Sequence, residues 1–174
     1  MDDIRIAVIG GGAMGGAAVR GLVEAGVKPG LITVSNPTAG KLAPLAALGV
    51  NTLSDNRDAV KGASLVIIAV KPWILPGVID EIRAAIDYDT QEVAVIVAGV
   101  ACEDLKKMFS TGNGCPTLSI VMPNTAMVLR ESMTFIVEAV GAPELAVEVF
   151  SNLGKVMVLS LIHISEPTRP LYIS

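Results

Sequence analysis

Three features of this 174-residue chain predict an α/β fold built on a doubly wound, mostly parallel sheet of about eight strands with helices on both faces. Short apolar, strand-like segments alternate with helical ones along the chain, and such alternation builds parallel sheets through right-handed crossovers. Hydrophobic residues make up 52% of the sequence and charged residues only 17%, as expected where a sheet is covered on both faces. The first strand candidate also runs straight into a glycine turn followed by a helix of small residues.

That opening reads Ile4-Arg5-Ile6-Ala7-Val8-Ile9-Gly10-Gly11-Gly12-Ala13-Met14-Gly15, and its glycines divide the work. Gly10 permits a tight turn out of the strand, Gly12 has no side chain to hold off a diphosphate, and Gly15 lets helix and strand pack closely. The positive end of the helix over 17–25 would then face the phosphates. This is the pattern of a Rossmann-like dinucleotide-binding start.

The remaining elements follow in order. Strands are predicted over 4–9, 31–35, 50–53, 65–70 and 93–97, with crossover helices over 38–48, 57–61, 74–86 and 103–109. Further strands are expected at 117–121, 133–137 and 155–159, the last two joined by a helix over 143–153. At this length the chain suits one domain with a real core.

Charge and composition narrow the partners. A net charge of −4 with no basic stripe argues against nucleic acid or an anionic membrane as the main partner. The apolar strands are far shorter than the roughly 20 residues that span a bilayer. Met1-Asp2-Asp3 is acidic and leads directly into a strand, unlike a signal peptide, so the expected compartment is the cytoplasm. Cys102 and Cys115 lack metal-like spacing and are expected to be unpaired, and no metal site is expected. His163 is the one histidine, so a Ser-His-Asp set is not available. The apolar surplus suggests a face meant for another domain or subunit.

Ligands of open α/β sheets collect beyond the carboxyl ends of the strands, which singles out four loops. Ser35-Asn36-Pro37-Thr38 follows the second strand, where an NAD-preferring domain usually offers an acid to the ribose. Ser35 and Asn36 can instead bond a 2′-phosphate without repelling it, with Lys41 nearby, which favours NADPH over NADH. The same residues equally describe an Asn-Pro turn with Thr38 or Ser35 as a helix cap. Ala69-Val70-Lys71-Pro72 ends the fourth strand. It either lines the cofactor's track or is a solvated lysine before a helix-starting proline. Ala98-Gly99-Val100 ends the fifth, where small residues suit a close backbone approach or a plain turn. Asn124 and Thr125 leave the strand before them as an amide and a hydroxyl that suit a substrate, or as a turn with Thr125 capping. A hydride-transfer protein needs no further catalytic set, since its cofactor carries the hard chemistry; no catalytic residue is singled out.

Together, Ile9-Gly10-Gly11-Gly12-Ala13-Met14-Gly15, Ala69-Val70-Lys71-Pro72, Val97-Ala98-Gly99-Val100 and Met122-Pro123-Asn124-Thr125 resemble, in order and spacing, the N-terminal domain of pyrroline-5-carboxylate reductases. The resemblance implies reduction of the ring imine of 1-pyrroline-5-carboxylate to L-proline with NADPH, the last step of proline biosynthesis. It also implies that Asn56, with Ser35 and Asn36, contacts the cofactor. In that family a helical second domain forms the dimer and supplies most of the substrate pocket, and that domain is expected to be missing from this chain. The expected organisation is therefore an NADP-binding domain over 1–159 and a non-native-looking tail over 160–174, with weak turnover for the chain alone. The alternatives are a related hydroxyacid dehydrogenase or deazaflavin-type reductase, or a non-catalytic nucleotide-binding module.

Overall fold

The computed structural model describes residues 3–160, so the readings of 161–174 and of His163 lie outside the described residues. Eight strands form one sheet: β1 (Ile6–Ile9), β2 (Ile32–Ser35), β3 (Asn51–Leu53), β4 (Leu65–Ile68), β5 (Glu92–Val95), β6 (Thr117–Met122), β7 (Ser132–Val140) and β8 (Gly154–Ser160). Six helices separate them: α1 (Ala13–Glu24), α2 (Ala39–Ala46), α3 (Asn56–Val60), α4 (Leu75–Ile82), α5 (Cys102–Phe109) and α6 (Glu144–Ser151). Their order across the sheet is β3-β2-β1-β4-β5-β6-β7-β8, the doubly wound arrangement that the alternation predicts.

The winding direction reverses between β1 and β4. Ile6 is level with Ile32 of β2 on one side and with Leu65 of β4 on the other. Every residue of β1 and β4 is buried, which explains why both read as unbroken apolar runs rather than as alternating ones. One core, on the face of α1, α2 and α6, gathers Val8, Leu22, Leu45 and Phe150. The other, on the face of α3, α4 and α5, gathers Ile9, Ile68, Ile79 and Phe109.

The structure departs from the sequence reading in a few places. β6 and β7 pair antiparallel, and β8 then lies parallel to β7. The connection over 123–131 has only nine residues, too few for the dozen or more of a parallel crossover. A 3-10 turn, Thr125–Leu129, occupies it and rests on α1 so closely that a Cβ on Gly21 would collide with the Met127 carbonyl. α4 ends at Ile82, four residues short of its predicted end. Ser160 is the last residue of β8, level with Glu138.

Candidate functional site

Beyond the carboxyl ends of β1 and β4 the chain leaves the sheet in opposite directions at the winding switch, and a cleft of about 650 Å³ opens there. Its floor is the glycine turn. Gly10 has φ +105°, and a Cβ on it would collide with the Ala69 carbonyl, so the turn lies directly against the end of β4. A Cβ on Gly15 would run into the Gly10 carbonyl oxygen, so α1 starts as close to the turn as backbone permits. Gly12 is different, because a Cβ there meets nothing within 4 Å. It is the N-cap of α1, with ordinary extended dihedrals of φ −76° and ψ −157° and no side-chain cap bond. The first intrahelical bond, from Gly16 N to Gly12 O at 2.8 Å, leaves the N–H groups of the preceding turn without helical partners. Bare, aligned amides at a helix's positive end fit a diphosphate and no neutral group nearly as well.

Beside β2 the cleft is polar. Ser35 is fully buried, and its hydroxyl donates to Asn56 Oδ1 at 2.6 Å. Asn56 Nδ2 in turn donates to Glu81 Oε2 at 2.9 Å. Asn36, only 7% exposed, accepts from Thr38 N at 2.9 Å through Oδ1, which closes the Asn-Pro turn, while its own N–H bonds Leu53 O at 3.2 Å. Thr38 stands at the N-cap of α2 without a side-chain cap bond. The loop is an Asn-Pro turn in which neither Thr38 nor Ser35 makes the expected side-chain cap, and Ser35, Asn36 and Lys41 are among the residues lining the cleft. Asp55 accepts from Arg57 N at 2.8 Å and caps α3, and the Arg57 guanidinium holds its carboxyl below the usual range.

Of the residues singled out in the sequence, Ile9, Gly10, Gly12, Ala13, Met14, Ser35, Asn36, Asn56, Ala69, Val70 and Lys71 come together around this one cleft. Gly15 lies beneath it, and Pro72 follows Lys71 into an exposed turn that leads to α4. Ala98 and Gly99 are exposed beyond β5, where Gly99 takes φ +77°, and Ile96 lines the cleft in their stead. Asn124 and Thr125 do not line it. Asn124 accepts from Ala126 N at 3.0 Å, so it is Asn124, not Thr125, that caps the 3-10 turn. Asn124 N is held at 3.3 Å by the buried Ser132 hydroxyl.

Sequence reasoning missed Ser54, Ile74, Gly77 and Glu81, which also line the cleft. Ile74 and Gly77 come from the start of α4, where the position just after Lys71-Pro72 was the available signal, and Glu81 comes from its last turn. Trp73, the chain's single tryptophan, stands 77% exposed between the lining residues Lys71 and Ile74 in sequence.

Comparison with known proteins agrees with this geometry. Residues 5–101 match the family described as NADP oxidoreductase, coenzyme F420-dependent. The pyrroline-5-carboxylate reductase of Pasteurella multocida is 36% identical over 138 residues, which cover 77% of this chain and 49% of that protein. A solved pyrroline-5-carboxylate reductase from Coxiella burnetii superimposes with a TM-score of 0.82 at 28% identity, over 90% of this chain and 59% of that one. The Plasmodium falciparum pyrroline carboxylate reductase, solved with NADP bound, has a TM-score of 0.79 at 21% identity, over 91% and 58%. The resemblance carried by the four sequence segments is the one these comparisons return. The chain spans about half the length of the curated relatives it matches.

Proposed function

The chain belongs to the NADP oxidoreductase, coenzyme F420-dependent family, and from that premise we propose that it is the cofactor-binding part of a reductase that converts 1-pyrroline-5-carboxylate to L-proline with NADPH. The observation that carries the reading is the uncapped N-terminus of α1 opening into the cleft at Gly12. The family description names both NADP and a deazaflavin coenzyme; the similarity to pyrroline-5-carboxylate reductases, 36% identical in one instance, favours the imine as acceptor.

When bound, the nicotinamide supplies a hydride to the imine carbon, and the chain's own groups hold and orient it. The amides of Ala13 and Met14 take the diphosphate. Asn36 and Lys41 take the 2′-phosphate, Ser35 and Asn56 border the ribose, and NADH is accepted in the same place. Ala69, Val70, Lys71 and Pro72 border the track toward the nicotinamide, with Ala98 and Gly99 continuing that border. Asn124 and Thr125 face the substrate. The helical domain of the full-length relatives would supply most of the substrate pocket and the homo-oligomer contact. A chain tested without that domain would not hold the imine within about 3.5 Å of the donor, and its turnover would be low.

The test is cofactor binding followed by NADPH oxidation with 1-pyrroline-5-carboxylate, for this chain and for a version extended by a relative's helical domain. Binding by both and turnover by the extended version alone are expected. Failure of the chain to bind either dinucleotide would overturn the reading. Binding without turnover in the extended version would make this a nucleotide-binding module instead.

A further inference from the structure

The polar end of the cleft has a fixed hydrogen-bond sense, and Glu81 fixes it. An ionised carboxylate only accepts, so Asn56 must turn its N–H₂ toward Glu81 and its Oδ1 toward Ser35. Ser35 then has to donate, and its proton is taken at 2.6 Å. Ser35 Oγ, fully buried, therefore has no proton left for the cleft. Asn36 is set the other way: Thr38 N occupies its Oδ1, so it offers N–H donors. Among the described residues Glu81 brings the only carboxylate to the lining, and the cations Lys41 and Lys71 lie in the same lining. Arg57, which also feels Glu81, is held by Asp55 at 3.0 Å.

We infer that Glu81, acting directly and through Asn56, is a specificity-determining residue that draws the affinities for NADH and NADPH together. The inference rests on the reading that this cleft holds a nicotinamide dinucleotide. A ribose 2′-hydroxyl both donates and accepts, so it can give its proton to the exposed Glu81. A 2′-phosphate offers negative charge and acceptor oxygens, so Ser35 cannot serve it and Glu81 repels it. Lys41 and Asn36 pull in the opposite direction. Dinucleotide folds usually carry such an acid at the end of the second strand, and here that position is Ser35-Asn36. The carboxylate arrives instead from α4, across Asn56.

Replacing Glu81 with glutamine keeps length and volume but removes the charge. It also frees Asn56 to flip and Ser35 to donate to a phosphate. Dissociation constants for NADH and NADPH, read by calorimetry and by quenching of Trp73 fluorescence, test this at low and high salt. The ratio Kd(NADH)/Kd(NADPH) is expected to rise about tenfold in Glu81→Gln at low salt, and by less at high salt where the charge is screened. Glu81→Lys should raise it further. A ratio unchanged in both variants, with both dinucleotides still bound, overturns the role of Glu81 and leaves the proposed function standing. Failure of the unaltered chain to bind either dinucleotide overturns the proposed function itself.

Discussion

The two edges of the same sheet treat polar side chains in opposite ways. At the amino edge, where β5 begins, Gln91 and Glu92 are buried and turned inward. Gln91 Nε2 donates to Val60 O at 2.6 Å and Ala63 O at 2.7 Å, and its Oε1 accepts from Asp87 N at 2.8 Å. Glu92 accepts from Leu145 N at 3.0 Å and Ala146 N at 2.8 Å, so a β5 side chain caps α6. At the carboxyl edge the N-terminus of α1 has no side-chain cap, and the chain from Ser35 ends on an exposed carboxylate. Donors and acceptors that close the fold at one edge are left facing a cleft at the other. Substitutions at the amino edge should therefore cost stability without changing ligand affinity, and those at the carboxyl edge the reverse.

The largest effect is expected at Glu92, which is 6% exposed. Truncation to alanine strands two amides at the buried start of α6, and loss of such paired groups costs about 3 kcal/mol. Urea unfolding should report that loss, while the folded variant keeps the dissociation constant for NADPH. A destabilisation under about 1 kcal/mol would show that α6 does not depend on this cap.

Gly12→Val inverts the pattern. The new side chain projects into open space from an ordinary extended conformation, so unfolding should shift by no more than about 1 kcal/mol. It would also stand where the diphosphate must approach the α1 amides, and affinity should fall about 100-fold, or about 2.7 kcal/mol. Undiminished binding in a folded Gly12→Val variant would remove the cleft from consideration as the phosphate site.

The glycine turn, the strand order around it and most of the cleft could be read in the sequence because each is a contiguous local pattern. A strand that ends in Gly10-Gly11-Gly12 fixes where the turn falls, although α1 begins at Ala13, four residues before the expected 17–25, and residues that follow strands fall at one edge by topology alone. Glu81 could not be read in this way, since it reaches the cleft only through the angle at which α4 packs. Glu92 was hidden for a related reason. The apolar pattern begins at Val93, and nothing local marks a carboxylate whose partners, Leu145 and Ala146, lie more than fifty residues away. The antiparallel turn between β6 and β7 was legible in principle from the short connection after Met122-Pro123, but the strand pattern alone is blind to direction.

A pH series sharpens the contrast within the amino edge. Burial pushes the Glu92 carboxyl above its ordinary value of 4.5, against the downward pull of the two α6 amides. The folded chain then binds a proton that the unfolded chain has released, so this group's contribution falls as pH rises from about 4.5 through its raised value. Glu92→Gln should flatten that part of the curve of unfolding free energy against pH. An equal slope in both proteins would mean that folding leaves the Glu92 carboxyl at its ordinary value.

The smallest effect belongs to Asp87, at the exposed start of the turn leading into β5. The Thr90 hydroxyl donates to its Oδ2 at 2.8 Å and Asp89 N to its Oδ1 at 3.0 Å, and these bonds hold its carboxyl below the ordinary 3.8. The sign is opposite to that of Glu92. A depressed carboxyl contributes stability that is present above 3.8 and is lost as pH falls through the lower folded value. Its backbone N–H meanwhile bonds Gln91 Oε1, so the turn reports on the buried amide that ties α3 to β5. Asp87→Asn should lower the urea midpoint slightly at pH 6 and by less at pH 3, below the ordinary value, where the carboxylate's contribution has begun to be lost. A variant equally weakened at both values would place the contribution in the shape of the turn and not in the charge. The two acids of the amino edge would then differ in kind as well as in sign.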